Sequence, residues 1–554
     1  MKIALIQLNP RVGAARDNLK KMTAAIDEAK SLGAKVCVFP EMAVTGYPPR
    51  DLLLYGAFVR EAEECAEKLR EVSGRTGLLI LAGSVGRNLD GKGHHLRNLA
   101  TVFDGGKVLG VYAKRLLPTY DVFDEARYFE AGEEPLVFEK EGRRFAVTIC
   151  EDIWNDEAYW PRPLYKIDPL ENHPPFDVLV NVSASPFSVG KQKQREDMLR
   201  TLARKRGALV LYANQVGAND ELIFDGRSSV TGPDGTLLAR AKAFGEDILV
   251  FDLDGQPEKN VAPDDFSPES ETWRALGLGV RDYCEKNGIS KAVLGLSGGV
   301  DSALTAAAAA EALGPENVRG LVMPSPHSSD HSVRDALELA RNLGLAPPDV
   351  IPIGPAMRAF SEALAPAFGN LPPDATEENV QARIRGVLLM AMANKFGAML
   401  LTTGNKSEIS VGYCTIYGDM CGALAVIGDL YKTEVYALAK WLNKDKIVIP
   451  ESTLAKPPSA ELRPGQIDED SLPPYERLDA MLGELLEKRK TPGELALSGA
   501  FDPAEIARVG NLVRRGEFKR RQAAPVLKIT AQAFGVGWRM PVACRSPFGG
   551  DDRG

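Results

Sequence analysis

The sequence predicts an α/β chain in two halves, the first built on a mixed sheet and the second on a doubly wound parallel sheet. Three observations predict it. A chain of 554 residues exceeds what one hydrophobic core supports. Apolar segments of strand length alternate with helix-length segments along its whole extent. The connections also differ between the halves. Tight turns such as Asp104-Gly105-Gly106 and Pro233-Asp234-Gly235 link strands of the first half, which implies hairpins. In the second half, helices fill the gaps between strands, which implies crossovers and parallel pairing.

In residues 1–253 the strands are expected at Lys2–Leu8, Val36–Phe39, Leu79–Gly83, Ala100–Asp104, Val108–Ala113, Phe145–Ile149, Val178–Val182, Ala208–Ala213 and Ile248–Leu253. Between the first two, Leu19, Met22, Ile26 and Ala29 recur at helical spacing in Asp17–Leu32, and Gly33 stands where a helix C-cap belongs. Residues 254–270 are polar, with Pro257, Pro263 and Pro268, and read as a linker. The second domain is expected over 271–542. Its strands are Ala292–Leu296, Val318–Met323, Asp349–Ile353 and Met399–Thr402, and its helices include Ser302–Leu313, Ser332–Leu343, Glu377–Lys395 and Thr433–Leu442. Residues 543–554, rich in Gly, Asp and Arg, read as a flexible tail.

The formal charge of −8 argues against a general nucleic-acid binder, which needs a basic face. Met1 runs straight into a strand pattern rather than a signal peptide. No apolar run reaches the length of a membrane span. The seven cysteines are scattered and odd in number, which suits a reducing compartment; a cytoplasmic enzyme is the expectation.

The most informative segment is Leu294-Gly-Leu-Ser-Gly-Gly-Val-Asp-Ser302, which follows an apolar strand and opens a helix. Loop N–H groups and a helix N-terminus then face one point, a geometry that binds phosphate. Gly298 and Gly299 let the backbone approach closely, Ser297 and Ser302 offer hydroxyls, and Asp301 offers a carboxylate for Mg²⁺. A Walker A loop is excluded, because no Gly-Lys-Ser/Thr ends the segment.

Ser-Gly-Gly-x-Asp-Ser resembles the PP-loop of the ATP pyrophosphatase superfamily, whose members adenylate a substrate oxygen and release pyrophosphate. The resemblance narrows to NAD synthetases through Met323-Pro-Ser325 before Ser328-Ser329, Asn379-Val-Gln-Ala-Arg-Ile-Arg385, Leu401-Thr-Thr-Gly-Asn-Lys-Ser-Glu408, Gly412–Met420, Gly428-Asp-Leu-Tyr-Lys432, Pro458–Arg463 and Lys519-Arg-Arg521. It implies ATP binding by Gly295, Leu296, Ser297, Gly298, Gly299, Val300, Asp301, Ser302 and Thr403. It implies deamido-NAD binding by Asn379, Glu408 and Lys519, and Mg²⁺ at Asp301 and Glu408. Cys414 and Cys421 lack a second Cys or His pair at zinc-like spacing and read as packing residues.

In the first half, Glu41, Lys114 and Cys150 each follow a strand. A lone cysteine is more often an inert packing residue, and lone Glu and Lys residues are mostly solvated. In the order Glu, Lys, Cys and in these contexts, the three resemble the triad of the nitrilase (carbon–nitrogen hydrolase) superfamily. That resemblance implies an α-β-β-α sandwich for residues 1–253. Lys114 is expected to stabilise a thiolate on Cys150 and the oxyanion, and Glu41 to shuttle protons. Tyr120, Ser185 and Lys191 match positions that hold glutamine, and either Glu125 or Glu130 supports the lysine.

Joined, the halves imply a glutaminase feeding ammonia, through an internal route, to an adenylating synthetase. Its partners would be L-glutamine, ATP and deamido-NAD, with no nucleic acid or membrane, in a homo-oligomer. Rival readings are another PP-loop amidotransferase, a nucleotide sensor with a vestigial amidase, and a free-standing amidase with an unrelated module.

Overall fold

The computed structural model describes residues 1–255, 260–544 and 547–548. Residues 256–259 of the expected linker, and 545–546 and 549–554 of the expected tail, lie outside the described residues. The chain separates into two compact units, Met1–Pro268 and Glu269–Gly554.

The first unit carries fifteen strands among its described residues: β1 Lys2–Gln7, β2 Val36–Val38, β3 Leu79–Arg87, β4 Leu96–Asp104, β5 Lys107–Ala113, β6 Leu136–Lys140, β7 Arg143–Ile149, β8 Val178–Ser183, β9 Leu209–Asn214, β10 Val216–Asn219, β11 Leu222–Asp225, β12 Ser229–Thr231, β13 Leu237–Arg240, β14 Asp247–Asp252 and β15 Asn260–Val261. Its helices are α1 Ala15–Ser31, α2 Gly56–Thr76 and α3 Lys191–Arg206. One sheet has the order β14-β1-β2-β3-β4-β5, the other β15-β13-β12-β9-β8-β7-β6, and β10-β11 is a separate hairpin. Both large sheets are mixed. β1, β2 and β3 pair in parallel, as do β7, β8 and β9, while β3, β4 and β5 form antiparallel hairpins.

Side-chain alternation along the strands explains the layering. Ile3, Leu5, Val36, Val38, Leu79 and Leu81 face Phe145, Val147, Val178, Val180 and Val182 across the inter-sheet core. The opposite set on the first sheet, Ala4, Ile6, Cys37 and Ile80, packs against Met22 and Ile26 of α1 and Leu69 of α2. On the second sheet, Ala146, Leu179 and Val210 pack against Met198, Leu199 and Leu202 of α3. The result is an α-β-β-α sandwich. Gly33, at φ 84°, follows α1 in the left-handed conformation a helix C-terminus favours.

Within the stretch read as linker, Asn260–Val261 pairs in parallel with β13, and α4 (Pro268–Lys286) begins at its third proline. Phe266 lies under the guanidiniums of Arg227 and Arg240, 5.1 and 4.9 Å from its ring centre. Asp264 accepts from Arg227 Nε at 2.7 Å. Charge and stacking hold this polar chain, so apolar periodicity gave no sign of its order.

In the second unit the strands are β16 Ala292–Gly295, β17 Val318–Val322, β18 Asp349–Val350, β19 Met399–Thr402 and β20 Leu424–Ala425. Its further helices are α5 Val300–Leu313, α6 Asp330–Leu343, α7 Gly354–Phe368, α8 Ala375–Phe396, α9 Lys406–Val411, α10 Lys432–Leu442, α11 Glu451–Ala455, α12 Tyr475–Leu482, α13 Pro492–Leu497 and α14 Pro503–Arg520. The sheet order β18-β17-β16-β19-β20 is parallel throughout. The strand expected at Asp349–Ile353 stops at Val350, two residues short of Pro352, which has no N–H to donate to the ladder. The alanines of α5 are buried and let that helix lie close to the sheet. Ile384 and Ala393 of α8 pack with Val293, Leu321 and Leu400. A separate apolar cluster joins α12 and α14 to Ile409 and Val411 of α9. Connections from β16 run one way to β17 and β18, and the other side of β16 holds β19 and β20. The carboxyl ends of β16 and β19 therefore flank a topological switch point, where such sheets open a ligand crevice.

Candidate active sites

In the first unit, the structure gathers the three residues singled out by sequence at the carboxyl ends of their strands. Glu41 follows β2, Lys114 follows β5, and Cys150 follows β7; all three are buried. Lys114 Nζ donates to Glu41 Oε1 at 2.8 Å and to Glu125 Oε1 at 2.7 Å. Of the two glutamates that the sequence left open, Glu125 is the one bonded to Lys114. Glu130 instead accepts from the His94 N–H. Glu41 is fixed further by Asn98 Nδ2 at 2.6 Å and the Ala184 N–H at 3.1 Å, and Glu125 by the Tyr47 hydroxyl at 2.8 Å.

Cys150 adopts φ 43° at the start of a single 3₁₀ turn, Cys150–Ile153. A left-handed conformation at a non-glycine costs on the order of 1–3 kcal/mol and persists only where neighbours enforce it. Asp152 is such a neighbour. Its carboxylate accepts from the N–H groups of Ile149, Arg115 and Leu116 and from the Tyr112 hydroxyl. One buried side chain therefore ties the cysteine turn to the backbone that follows Lys114.

Burial disfavours charge on Lys114, but Glu125 and Glu41 together hold its ammonium well above the ordinary lysine range. Burial first, and Glu41 next, push the Cys150 thiol up, against the opposing pull of Lys114. The lysine charge is divided between two carboxylates. Burial also raises Glu125, countered by Lys114.

Tyr120, Ser185 and Lys191 lie around this centre. The Tyr120 hydroxyl donates to Glu151, the residue after the cysteine, at 2.9 Å, and Tyr165 donates to the same carboxylate at 3.0 Å. Ser185 is buried beside Ala184, and its N–H donates to Asn214. Lys191 opens α3 with its ammonium 5.6 Å from the Trp154 ring centre. Sequence reading missed Tyr47, Asn98, Glu151, Asp152 and Tyr165. For Glu151 and Asp152 the signal was adjacency to Cys150; the others become visible only when the chain folds.

In the second unit, a cavity of about 810 Å³ opens at the switch point. Gly295, Leu296, Ser297, Gly299, Val300, Asp301, Ser302, Asn379, Thr403, Glu408 and Lys519 all line it. Gly298 does not line it; it shapes the loop. Its φ is 77°, and a Cβ there would come within 2.4 Å of the Ser332 carbonyl oxygen. The Ser302 hydroxyl accepts from the Ser297 N–H at 3.3 Å and donates to Gly299 O at 3.0 Å. α5 begins at Val300, two residues before the expected start, so Asp301 lies in its first turn.

Asn379 accepts from the Thr415 hydroxyl at 2.8 Å, and Arg383 Nε donates to Ile416 O, so both lean on the same loop as their four-residue spacing implies. Lys519 Nζ donates to the carbonyls of Gly412 and Cys414. The Lys-Arg-Arg run is not one patch: Arg520 is buried on Glu517, and Arg521 donates to Met540 O. Asp301 and Glu408 are joined by a residue to which sequence reading gave no role. Lys432 Nζ donates to Asp301 Oδ2 at 2.5 Å and to Glu408 Oε1 at 3.3 Å. Burial raises the Glu408 carboxyl, and Lys432 opposes it.

Residues 2–259 match the carbon-nitrogen hydrolase family, and residues 272–523 match the NAD synthase family. A glutamine-dependent NAD(+) synthetase of Synechocystis sp. is 49% identical over 550 residues, with 98% of each chain covered. Another, of Thermotoga maritima, is 43% identical over 98% of this chain and 99% of its own. The solved structure of the Acinetobacter baumannii glutamine-dependent NAD+ synthetase with adenosine diphosphate superposes with a TM-score of 0.76 at 40% identity, covering 98% of both chains. With both halves matched in order and these identities extending over almost its whole length, the chain belongs to the glutamine-dependent NAD(+) synthetases.

Proposed function

We propose that the chain converts deamido-NAD, ATP, L-glutamine and water into NAD, AMP, diphosphate and L-glutamate, hydrolysing glutamine in the first unit and forming the amide in the second. The observation that carries the first step is one buried ammonium, Lys114, shared by Glu41 and Glu125. Cys150 Sγ attacks the side-chain amide carbon of glutamine while Glu41 takes the thiol proton. Lys114 stabilises the oxyanion, and Glu41 passes its proton to the departing ammonia. Glu41 then draws a proton from the water that hydrolyses the thioester. Glu125 holds Lys114 in place. Tyr120, Ser185 and Lys191 hold the α-amino and carboxylate groups of glutamine.

In the second unit, the loop Gly295–Ser302, with Thr403 across the crevice, grips ATP. Asn379, Glu408 and Lys519 hold deamido-NAD with its nicotinate carboxylate toward the α-phosphate. The carboxylate displaces diphosphate, and ammonia then displaces AMP. Asp301 and Glu408 fit Mg²⁺, because two carboxylates aim at one point and a nucleotide's phosphates would complete the shell. When bound, that ion neutralises phosphate charge. A cytoplasmic location and a homo-oligomer complete the proposal; Phe360, Val387 and Met390, exposed on α7 and α8, are apolar surface a second copy would cover.

The test is a pair of variants. Cys150→Ala loses NAD formation from glutamine and keeps it from ammonium salts, whereas Asp301→Ala loses both. AMP formation at the normal rate by Asp301→Ala refutes the assignment of the second site.

A further inference from the structure

Lys432 opens α10 and is buried. Its surroundings have the form of a cation site already filled. Asn405 binds the outer oxygen of each carboxylate: its Nδ2 donates to Asp301 Oδ1 at 2.9 Å and its N–H donates to Glu408 Oε2 at 3.3 Å. The inner oxygens, Asp301 Oδ2 and Glu408 Oε1, converge on the Lys432 ammonium. On a further side the Tyr475 ring centre lies 5.2 Å from Nζ, with the Tyr475 hydroxyl bound to Asp468. Asn405 thus aims both carboxylates inward, and one monovalent group satisfies them.

We propose that Lys432 is a stand-in for the divalent cation, occupying the point between Asp301 and Glu408 so that the metal enters only together with ATP. The proposal rests on the assignment of those two carboxylates as metal ligands. A divalent ion and an ammonium repel and cannot share the two inner oxygens. Among the described residues, no group of three or more His, Cys, Asp or Glu side chains is arranged to hold a metal. An incoming triphosphate brings the negative charge that offsets this repulsion and supplies the remaining oxygen ligands. The consequence is an order of events: the free enzyme ignores divalent ions, and the nucleotide escorts its own.

The probe is Mn²⁺ without nucleotide, its free concentration followed by electron paramagnetic resonance, added to the full chain. Wild type is expected to bind Mn²⁺ at least tenfold more weakly than Lys432→Met, whose two carboxylates are left for the ion. The gain disappears when Asp301→Asn is added to Lys432→Met. Lys432→Gln serves as a second variant, and thermal unfolding checks that each is folded. Sub-millimolar Mn²⁺ binding by wild type without nucleotide overturns the proposal whatever the variants do. Equal affinities of wild type and both lysine variants also overturn it, while leaving the ligand assignment standing on the loss of AMP formation in Asp301→Ala. A gain that survives the addition of Asp301→Asn to Lys432→Met refutes the assignment, and the proposal with it.

Discussion

Gly298→Ala tests the phosphate loop through a single added methyl group. At φ 77° the backbone of residue 298 lies where L-residues are strained, and the new Cβ would stand 2.4 Å from Ser332 O and 2.9 Å from both Ser332 C and Cα. Those atoms are backbone at the start of α6, so they cannot swing aside as a flexible side chain would. The Gly298 carbonyl is also held by the Thr453 hydroxyl at 3.2 Å. Relief therefore requires the loop itself to shift, displacing Ser297 and Gly299 where they line the crevice. Conformational strain of this kind costs on the order of 1–3 kcal/mol. Where ATP binding must restore the original loop, that energy appears as a loss of about 5- to 150-fold in kcat/KM for ATP. The assay is diphosphate release against ATP concentration, with ammonium as nitrogen source, and glutamate release measured in parallel. Glutamate release in the absence of ATP is expected to stay normal. An unchanged kcat/KM for ATP in a folded Gly298→Ala protein would show that the loop does not shape the nucleotide site.

Two further expectations concern stability. Asp225 is fully buried and accepts from Arg195 Nη2 and Arg227 Nη1, each at 3.1 Å; Asp225→Asn removes a charge both guanidiniums lean on. Breaking a buried pair costs about 3–5 kcal/mol, a drop in melting temperature on the order of 10 °C by calorimetry, and a change within 2 °C or so would refute the role given to this pair. Burial pushes the Glu434 carboxyl up to about 7 from 4.5, against its bond from the Tyr431 N–H. The folded state then holds the proton more tightly than the unfolded chain. This group's contribution is full below pH 4.5 and fades as pH rises through 7. Glu434→Gln, which mimics the protonated acid, is expected to melt with wild type at pH 4.5 and above it at pH 8. Equal differences at both pH values would refute the assignment.

The readable parts of the sequence were those where local pattern and tertiary role coincide. β1, β7 and β8 showed themselves because every second side chain is apolar or the whole run is buried. The Gly298 loop showed itself because its conformation demands particular residues. α3 did not, because Gln192 and Arg195 are among its buried residues and a buried arginine breaks the apolar stripe. Glu125 could not be chosen over Glu130 from sequence, since the choice depends on which carboxylate reaches Lys114 after folding. Lys432 was in plain view in Gly428–Lys432, yet its role arises from convergence with Asp301, 131 residues earlier. Long-range pairing of charges has no periodicity to detect.

The short strand β15 has a practical meaning for anyone wishing to isolate the amidase. Cutting the polypeptide at residue 253, where the hydrophobic pattern ends, would strip β13 of its parallel neighbour and take Asp264 away from the buried Arg227. A free-standing version has to run on past Phe266, keeping a ribbon of hydrophilic chain that looks dispensable on paper. What resembles a tether is, for this half of the enzyme, a seam.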